Sequence, residues 1–75
     1  MIALTRLNGK KFVLNALYIE QVEAFPDTTI TLTNGKKLVV RESVQEVVDL
    51  VNDFYRQAAV LRLLGDLGGS ESEKQ

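Results

Sequence analysis

Two short apolar runs near the N-terminus, residues 2–7 and 11–14, flank the dipeptide Asn8-Gly9. An Asn-Gly pair between two such runs is a strong signal for a β-hairpin, because both residues tolerate the positive φ values of a type I′ turn. The N-terminal segment therefore predicts two antiparallel strands joined by a type I′ turn.

A second hairpin is predicted around Asn34-Gly35, which separates residues 29–33 from residues 38–41. In the first of these segments Ile30 and Leu32 alternate with threonines. Successive side chains of a strand point to opposite faces. The alternation therefore indicates a sheet with one face on the core and the other in water.

The segment between the hairpins, residues 18–25, has an ambiguous period, because its apolar residues fit a spacing of three as well as a spacing of two. We interpret it as a strand that can carry a bulge. The residue before Pro26 must be extended, and Pro26-Asp27-Thr28 favours a turn into the next strand. A short helix is the alternative.

A long C-terminal helix is predicted to begin at Ser43, because Ser43 and Glu46 have the spacing of a capping box. Good helix formers continue to about Leu64, and Gly65 is a suitable stop. The predicted fold class is α+β, with a small antiparallel sheet of about five strands in hairpins followed by one long C-terminal α-helix. Residues 1–64 form the single domain, and residues 65–75 form a polar tail that is predicted to be disordered.

The predicted helix has two halves with different patterns. From Val44 to Leu61 apolar residues recur in steps of three and four and form one stripe, and up to Gln57 the remaining positions are mostly polar. Residues 58–64 carry one charge, Arg62, and are apolar nearly all round. Water should not surround such a segment, so we expect it to contact a second copy of the chain or another protein. Association of the last turns with a membrane surface is an alternative. The candidate interface residues are Val51, Phe54, Tyr55, Ala58, Leu61, Leu63 and Leu64.

The size of the chain also favours a homo-oligomer. A domain of 75 residues has a thin core, and domains of this size usually need a disulfide, a metal or a partner subunit. The sequence contains no Cys and no His, so a disulfide is excluded and an ordinary zinc site is not expected. A partner subunit is the remaining means of stabilisation.

The charge balance argues against a non-specific nucleic-acid binder. Nine Lys and Arg residues against ten Asp and Glu residues give a net charge of -1, far from the strong positive field that such proteins need. The sequence has no apolar run long enough for a transmembrane segment and no leader at its N-terminus. We therefore predict a cytoplasmic protein.

Candidate catalytic chemistry is sparse. Without Cys or His, the sequence offers neither a nucleophile with its base nor a cluster of metal ligands. The best carboxylate pairs are Glu20 with Glu23 and Asp49 with Asp53. We interpret the second pair, one turn apart on the polar face of the helix, as solvated surface groups. The prediction is a protein without enzyme activity, with no catalytic residue, no metal and no cofactor.

Several short motifs follow one another in a specific order from Met1 to Ser43, within a resemblance that extends to about Arg56. They are Met1-Ile2-x-Leu4-Thr5-Arg6-Leu7-Asn8-Gly9, Phe12-x-Leu14-Asn15, Ile19-Glu20, Glu23, Pro26-Asp27-Thr28, Thr31-Leu32, Asn34-Gly35-Lys36-Lys37 and Val40-x-Glu42-Ser43. Together they resemble the FlbD family, also called SwrD-type swarming motility proteins. The resemblance implies a small accessory protein of bacterial flagellar motility, without enzyme activity, that helps the motor deliver power by acting on the stator at the flagellar base.

A second likeness gives an alternative function. Met1 to Arg6, and Val40-Arg41-Glu42 followed by a helix, look like the two ends of the carbon storage regulator family. Those proteins are small RNA-binding dimers, so this likeness implies a post-transcriptional regulator that contacts RNA through Arg6 and Arg41. From the two family resemblances taken together, the polar residues predicted to contact a partner are Arg6, Glu20, Glu23, Asp27 and Arg41.

Overall fold

The computed structural model describes residues 1–69. Within them five strands precede one α-helix: β1 is Ile2–Thr5, β2 is Lys11–Leu14, β3 is Ile19–Ala24, β4 is Thr28–Leu32, β5 is Lys37–Val40, and α1 is Val44–Gly69. A 3₁₀ turn, Ala16–Tyr18, connects β2 to β3. The predicted α+β class, with five antiparallel strands before a long helix, is confirmed.

Both predicted hairpins form, but their turns are not of type I′. Gly9 and Gly35 have φ values of 91° and 90°, whereas no other residue type within residues 1–69 has a positive φ. Asn8 and Asn34 therefore keep negative φ values, and the following glycine alone is left-handed, as in a three-residue loop with a glycine bulge. The Asn side chain accounts for the difference, because its Oδ1 accepts the backbone N–H two residues later at 2.9 Å in each turn.

The strands form two sheets instead of one. β1 pairs with β2, and β3, β4 and β5 pair in that order. The sheets meet at an antiparallel bridge between Arg6 and Val40, beside which the Arg41 N–H donates to the Thr5 carbonyl at 2.8 Å. Arg6 directly follows the C-terminal end of β1, and Val40 is the last residue of β5. The two antiparallel strands therefore diverge from this bridge and do not pair further.

The segment before Pro26 is a strand, as predicted, and its pairing is irregular. The register between β3 and β4 shifts between Ile19 and Gln21, which leaves Glu20 as the extra residue of a bulge. The alternative of a short helix is wrong here, because pairing with β4 extends to the end of the strand at Ala24.

The core lies between the two sheets and α1. The threonine-lined face predicted for β4 is confirmed, because Ile30 is completely buried whereas Thr29 and Thr31 are only half-buried on the other face. Every element except β2 and β3 contributes a fully buried side chain, and these two strands pack partly buried apolar residues around them. The buried apolar residues are Ile2, Leu4, Ala16, Ile30, Val40 and Val47.

Two side chains between β5 and α1 tie the first hairpin to the start of the helix. Nε and Nη2 of Arg41 donate to the Leu7 carbonyl at 3.0 and 2.8 Å. The Glu42 carboxylate accepts the Thr5 N–H at 2.9 Å and the Thr5 hydroxyl at 2.8 Å. These bonds join parts of the chain that are 34 and 37 residues apart, so they fix the first hairpin against the helix N-terminus.

The helix begins where predicted and ends later. The Glu46 N–H donates to Ser43 Oγ at 3.1 Å, and the Ser43 N–H donates to Glu46 Oε1 at 2.7 Å, which completes the predicted capping box. The predicted stop at Gly65 is wrong, since α1 continues to Gly69. A glycine inside a helix lowers its stability by about 1 kcal/mol but breaks no hydrogen bond, so it need not end the helix. Residues 70–75 of the predicted tail lie outside the described residues.

Candidate interaction surface

The first half of α1, residues 44–54, packs on the sheets and is called here the packed half. Val47 is completely buried, and Leu50, Val51 and Phe54 are partly buried against the core. Two of the predicted interface residues, Val51 and Phe54, therefore contact the chain's own fold. Tyr55 packs edge to face on the Phe54 ring, with centroids 5.6 Å apart, and stays 45% exposed.

Phe54 is the last residue of α1 that packs against the core, and residues 55–69 are called here the projecting half. Every side chain from Tyr55 to Gly65 is exposed. At ~1.5 Å per residue the projecting half is a rod roughly 20 Å long, in keeping with overall dimensions of 49 × 21 × 19 Å. The remaining predicted interface residues, Ala58, Leu61, Leu63 and Leu64, all lie on this rod.

The four large aliphatic side chains between residues 60 and 64 lie on one side of the helix. At about 100° per residue, they fall within an arc of roughly 160°, whose centre is about 120° around the axis from Val47. Their exposed fractions run from 54% at Val60 to 70% at Leu61. The centre of this arc points away from the sheets, and Leu61 at its edge, only about 40° from Val47, is exposed because the helix here extends beyond the sheets. We call this set of residues the outer arc: it consists of Val60, Leu61, Leu63 and Leu64.

The same side of the packed half is acidic. Glu46, Asp49 and Asp53 project within about 40° of the direction at the centre of the outer arc. Asp49 accepts the Gln45 side-chain amide at 2.9 Å, and Asp53 forms an ion pair with Arg56. The helix surface therefore changes from acidic to apolar at Gln57.

Two grooves border α1. A shallow one on the outer arc is lined by Arg56, Gln57, Val60 and Leu61. A second, of about 230 Å³, lies between β3 and α1 and brings together two of the predicted contact residues, Glu20 and Tyr55. The second groove could not be predicted from the sequence, because its width depends on how α1 packs beside the bulged strand.

Two further exposed apolar residues were not among the candidates predicted from the sequence. Val60 is 54% exposed, and its place inside the apolar run 58–64 was the available signal. Phe25 is 84% exposed in the turn after β3. The pattern had included Phe25 in the strand, so its exposure could not be anticipated.

The two candidate arginines lie beside the first hairpin and interact with it. The Arg6 guanidinium stacks over the Phe12 ring, 4.3 Å from its centroid. Arg41 donates to the Leu7 carbonyl, as described above. Both side chains are exposed, so each combines a structural contact with access to solvent.

The three candidate carboxylates lie on or next to β3. Glu20 is the exposed residue of the bulge. Glu23 accepts the Gln21 side-chain amide at 3.1 Å. Asp27 contributes its backbone carbonyl to the turn, where the Thr29 hydroxyl donates to it at 3.1 Å. The structure thus gives Asp27 a local role in the turn through its main chain.

Within residues 1–69 no group of three or more His, Cys, Asp or Glu residues is placed to hold a metal ion. Over that range no helix has the length and apolar character needed to cross a membrane.

The sequence matches a family model described as flagellar and swarming motility proteins, FlbD, over residues 1–59. No curated protein and no solved structure matches the chain. The family match covers all five strands and the packed half of α1, and it ends one residue before the outer arc begins. It spans well over half of the 75 residues and agrees with the motifs that run from Met1 to Ser43. The chain therefore belongs to the FlbD family and has a role in flagellar and swarming motility.

Proposed function

We propose that the chain promotes swarming as a non-catalytic accessory protein, which acts by protein-protein contact and raises the power of the flagellar motor at its stator. The family supplies the flagellar setting. The observation that carries the contact mechanism is the outer arc, four large apolar side chains that are all more than half exposed. A patch of this kind on a small protein is a typical site of protein contact.

The surroundings of the polar side chains support contact over catalysis. Arg41 donates a hydrogen bond to the Leu7 carbonyl, and Asp53 forms an ion pair with Arg56. Asp49 accepts a hydrogen bond from the Gln45 side chain. Each of these charged groups therefore has a partner within the chain. Catalytic groups are instead expected to converge on a cleft with perturbed acidity. The proposed place of action is the cytoplasmic side of the flagellar base, where the protein is peripheral.

The test replaces the chromosomal copy with the double variant Leu61→Glu and Leu64→Glu. Neither side chain contacts the core, so the fold should persist while the apolar surface is lost. We expect slower expansion of the swarm and lower torque of single motors, with an unchanged number of flagella per cell. Lys36→Glu, an exposed charge reversal at the β4–β5 turn, is the matched control and should leave torque at the wild-type value.

Normal torque with fewer flagella would contradict a role at the motor and would indicate control of gene expression. The RNA-binding alternative then becomes the one to test, by a gel shift with flagellar transcripts at several salt concentrations. Binding through Arg6 and Arg41 would weaken steeply as salt rises. Absence of binding at low salt would remove that alternative.

A further inference from the structure

We propose that an extended, positively charged segment of another protein binds as an added strand along the free edge of β3, and places apolar side chains in the groove between β3 and α1. This surface is separate from the outer arc, so the inference goes beyond the proposed function and does not depend on it. The residues that line the groove lie between Ala16 and Tyr55, within the part of the chain that the family match covers.

The free edge of β3 supplies main-chain groups for an added strand. β3 is an outer strand of its sheet, and in the part of the chain that the structure describes no strand pairs with its other edge. The Phe25 N–H donates to the Asp27 carbonyl at 2.9 Å. This bond flanks the pair that Ala24 forms with Thr28, which marks it as a non-hydrogen-bonded pair, and the alternation of an antiparallel ladder makes Val22 the next one. The N–H and C=O groups of Val22 and Ala24 therefore point to the free edge.

An added strand would continue the alternation of β3. After the bulge at Glu20 the register with β4 is regular up to the end of the strand. Val22 lies directly opposite Ile30, which is completely buried, so the Val22 side chain is on the core face and the Glu23 side chain is on the other. Side chains directly opposite each other share a face. An added segment therefore turns alternate side chains toward the groove and toward the face of Glu23.

The groove is suited to the apolar side chains of such a segment. Its apolar lining residues are Ile19, Val22, Val48, Val51 and Tyr55. Its volume of about 230 Å³ lies below the ~300 Å³ at which pockets for small-molecule ligands usually begin. When an exposed sheet edge recognises an extended peptide, main-chain hydrogen bonds give affinity and pockets for alternate side chains give specificity. The free edge and the groove supply these two elements side by side.

The charge of both walls favours a basic segment. Residues 12–35, which include β3, contain three acidic residues and no Lys or Arg, and the same holds for residues 44–55 of α1. Glu20 is exposed and lines the groove, and Glu23 follows Val22 on the free strand. Opposite charges on neighbouring strands attract, whereas like charges directly opposite each other destabilise a sheet. Lysine or arginine at the positions between the apolar residues therefore matches this edge.

The same charges argue against other occupants of the edge. Antiparallel pairing of two β3 strands would bring Glu20 and Glu23 of one copy close to the same residues of a second copy. The phosphates of a nucleic acid would meet the same carboxylates. A basic segment of another protein satisfies both the main chain and the charge.

The first experiment is a nuclear magnetic resonance titration of the full chain with a probe peptide, six residues that alternate lysine and valine between an acetyl and an amide cap. The amide protons of Val22 and Ala24 should show the largest downfield shifts, because they gain hydrogen bonds. The Glu23 amide already donates to β4 and should shift little. A peptide of three lysines followed by three valines has the same charge, and its dissociation constant should be at least about tenfold higher.

Two methylated forms of the probe test pairing through the main chain. In an antiparallel added strand the valine nitrogens face β3, so their methylation should raise the dissociation constant at least about tenfold, and methylation of the lysine nitrogens should leave it within about twofold. In a parallel added strand the two effects are exchanged. Equal affinities of all three peptides would overturn the proposal, because binding would then need no hydrogen bond to the edge.

Substitution of Ala24 tests the same hydrogen bonds from the side of the chain. Proline is tolerated in an outer strand where its missing N–H would have faced solvent, so Ala24→Pro should keep the fold and raise the dissociation constant of the probe at least about tenfold. Ala24→Val keeps the N–H and is the matched control, which should leave the constant within about twofold. Urea unfolding checks that both variants are folded.

Charge reversal tests the basic character of the partner. The double variant Glu20→Lys and Glu23→Lys should raise the dissociation constant of the probe at least about tenfold. The control is Asp49→Lys with Asp53→Lys, which changes the net charge equally at two exposed residues that do not line the groove. It should leave the constant within about threefold.

Four further results would overturn the proposal. They are shifts confined to the projecting half, equal binding of a peptide that alternates glutamate and valine, equal weakening by the two charge-reversal variants, and the same shifts at Val22 and Ala24 when the chain alone is concentrated. The last result would place a second copy on β3. Each of them leaves the proposed role of the outer arc untouched, since the torque of the Leu61→Glu and Leu64→Glu variant tests that role separately.

Discussion

The packed and projecting halves of α1 belong to one continuous helix, yet they depend on different sources of stability. In the packed half, Val47 is completely buried and its neighbours contact both sheets. In the projecting half, every side chain as far as Gly65 is exposed. A helix of about 15 residues without tertiary contacts is marginal in water. The first half is therefore held by its own fold, whereas the second gains most from a partner.

The two halves also differ in what they present on the same side of the helix. Glu46, Asp49 and Asp53 give the packed half a solvated surface there. Val60 and Leu64 give the projecting half an apolar one in the same direction. The same side of α1 is therefore acidic and solvated in the packed half, and apolar and suited to contact with another protein in the projecting half.

The largest expected difference between the halves is in how much an introduced aspartate lowers the free energy of unfolding. Val47→Asp places a carboxylate without partners in the core and should lower the free energy of unfolding by about 3–5 kcal/mol, enough to unfold a domain this small. Leu61→Asp should change it by less than about 0.5 kcal/mol, because Leu61 is already 70% exposed. Urea denaturation followed by circular dichroism measures both, at concentrations low enough to keep the chain monomeric. Equal losses at the two sites would mean that the projecting half packs on the fold in solution.

A smaller difference is expected from two glycine substitutions. Gly35 has a φ of 90° in the second hairpin turn, so Gly35→Ala should destabilise the fold by about 1–2 kcal/mol. Gly65 lies inside the projecting half with open space around it, so Gly65→Ala should leave global unfolding unchanged and raise helix content. Thermal unfolding and the far-ultraviolet spectrum report the two effects. A loss of global stability in Gly65→Ala would show that its surroundings are not open.

The parts of the fold that could be predicted are those that depend on local sequence. The Asn-Gly pairs located both hairpins, and the spacing of Ser43 and Glu46 located the helix start. The turn type was missed because the Asn side chain accepts a backbone N–H and thereby stays at negative φ. The division into two sheets was missed because it depends on how far β1 and β5, which are distant in sequence, pair with each other. In the structure the contact between their ends is the bridge between Arg6 and Val40.

The candidate surface could likewise be predicted where it depends on local sequence, but not where it depends on tertiary packing. The apolar run 58–64 was sufficient to identify the exposed segment of the helix. Val51 and Phe54 fit the same stripe, but only packing could show that they face the core. The groove beside Glu20 combines a strand and a helix that are distant in sequence, so no local pattern could indicate it.

The smallest predicted effect concerns Glu42, which anchors the packed half and should not affect the projecting half. Partial burial of its carboxylate raises the pKa, but the N–H and hydroxyl of Thr5, its own N–H and the charge of Lys11 lower the pKa more, to below the ordinary 4.5. A carboxylate with a lowered folded-state pKa contributes stability that is present above pH 4.5 and is lost as the pH falls through the folded-state pKa.

The free energy of unfolding of the wild type should therefore exceed that of Glu42→Gln by about 1 kcal/mol at pH 7, a modest value because solvent reaches the site. The gap should close once the pH has fallen below the lowered folded-state pKa of Glu42, where both side chains are neutral. Urea denaturation at a series of pH values measures it. A gap that stays constant with pH would show that the hydrogen bonds to Thr5 do not distinguish the charged from the neutral carboxyl group.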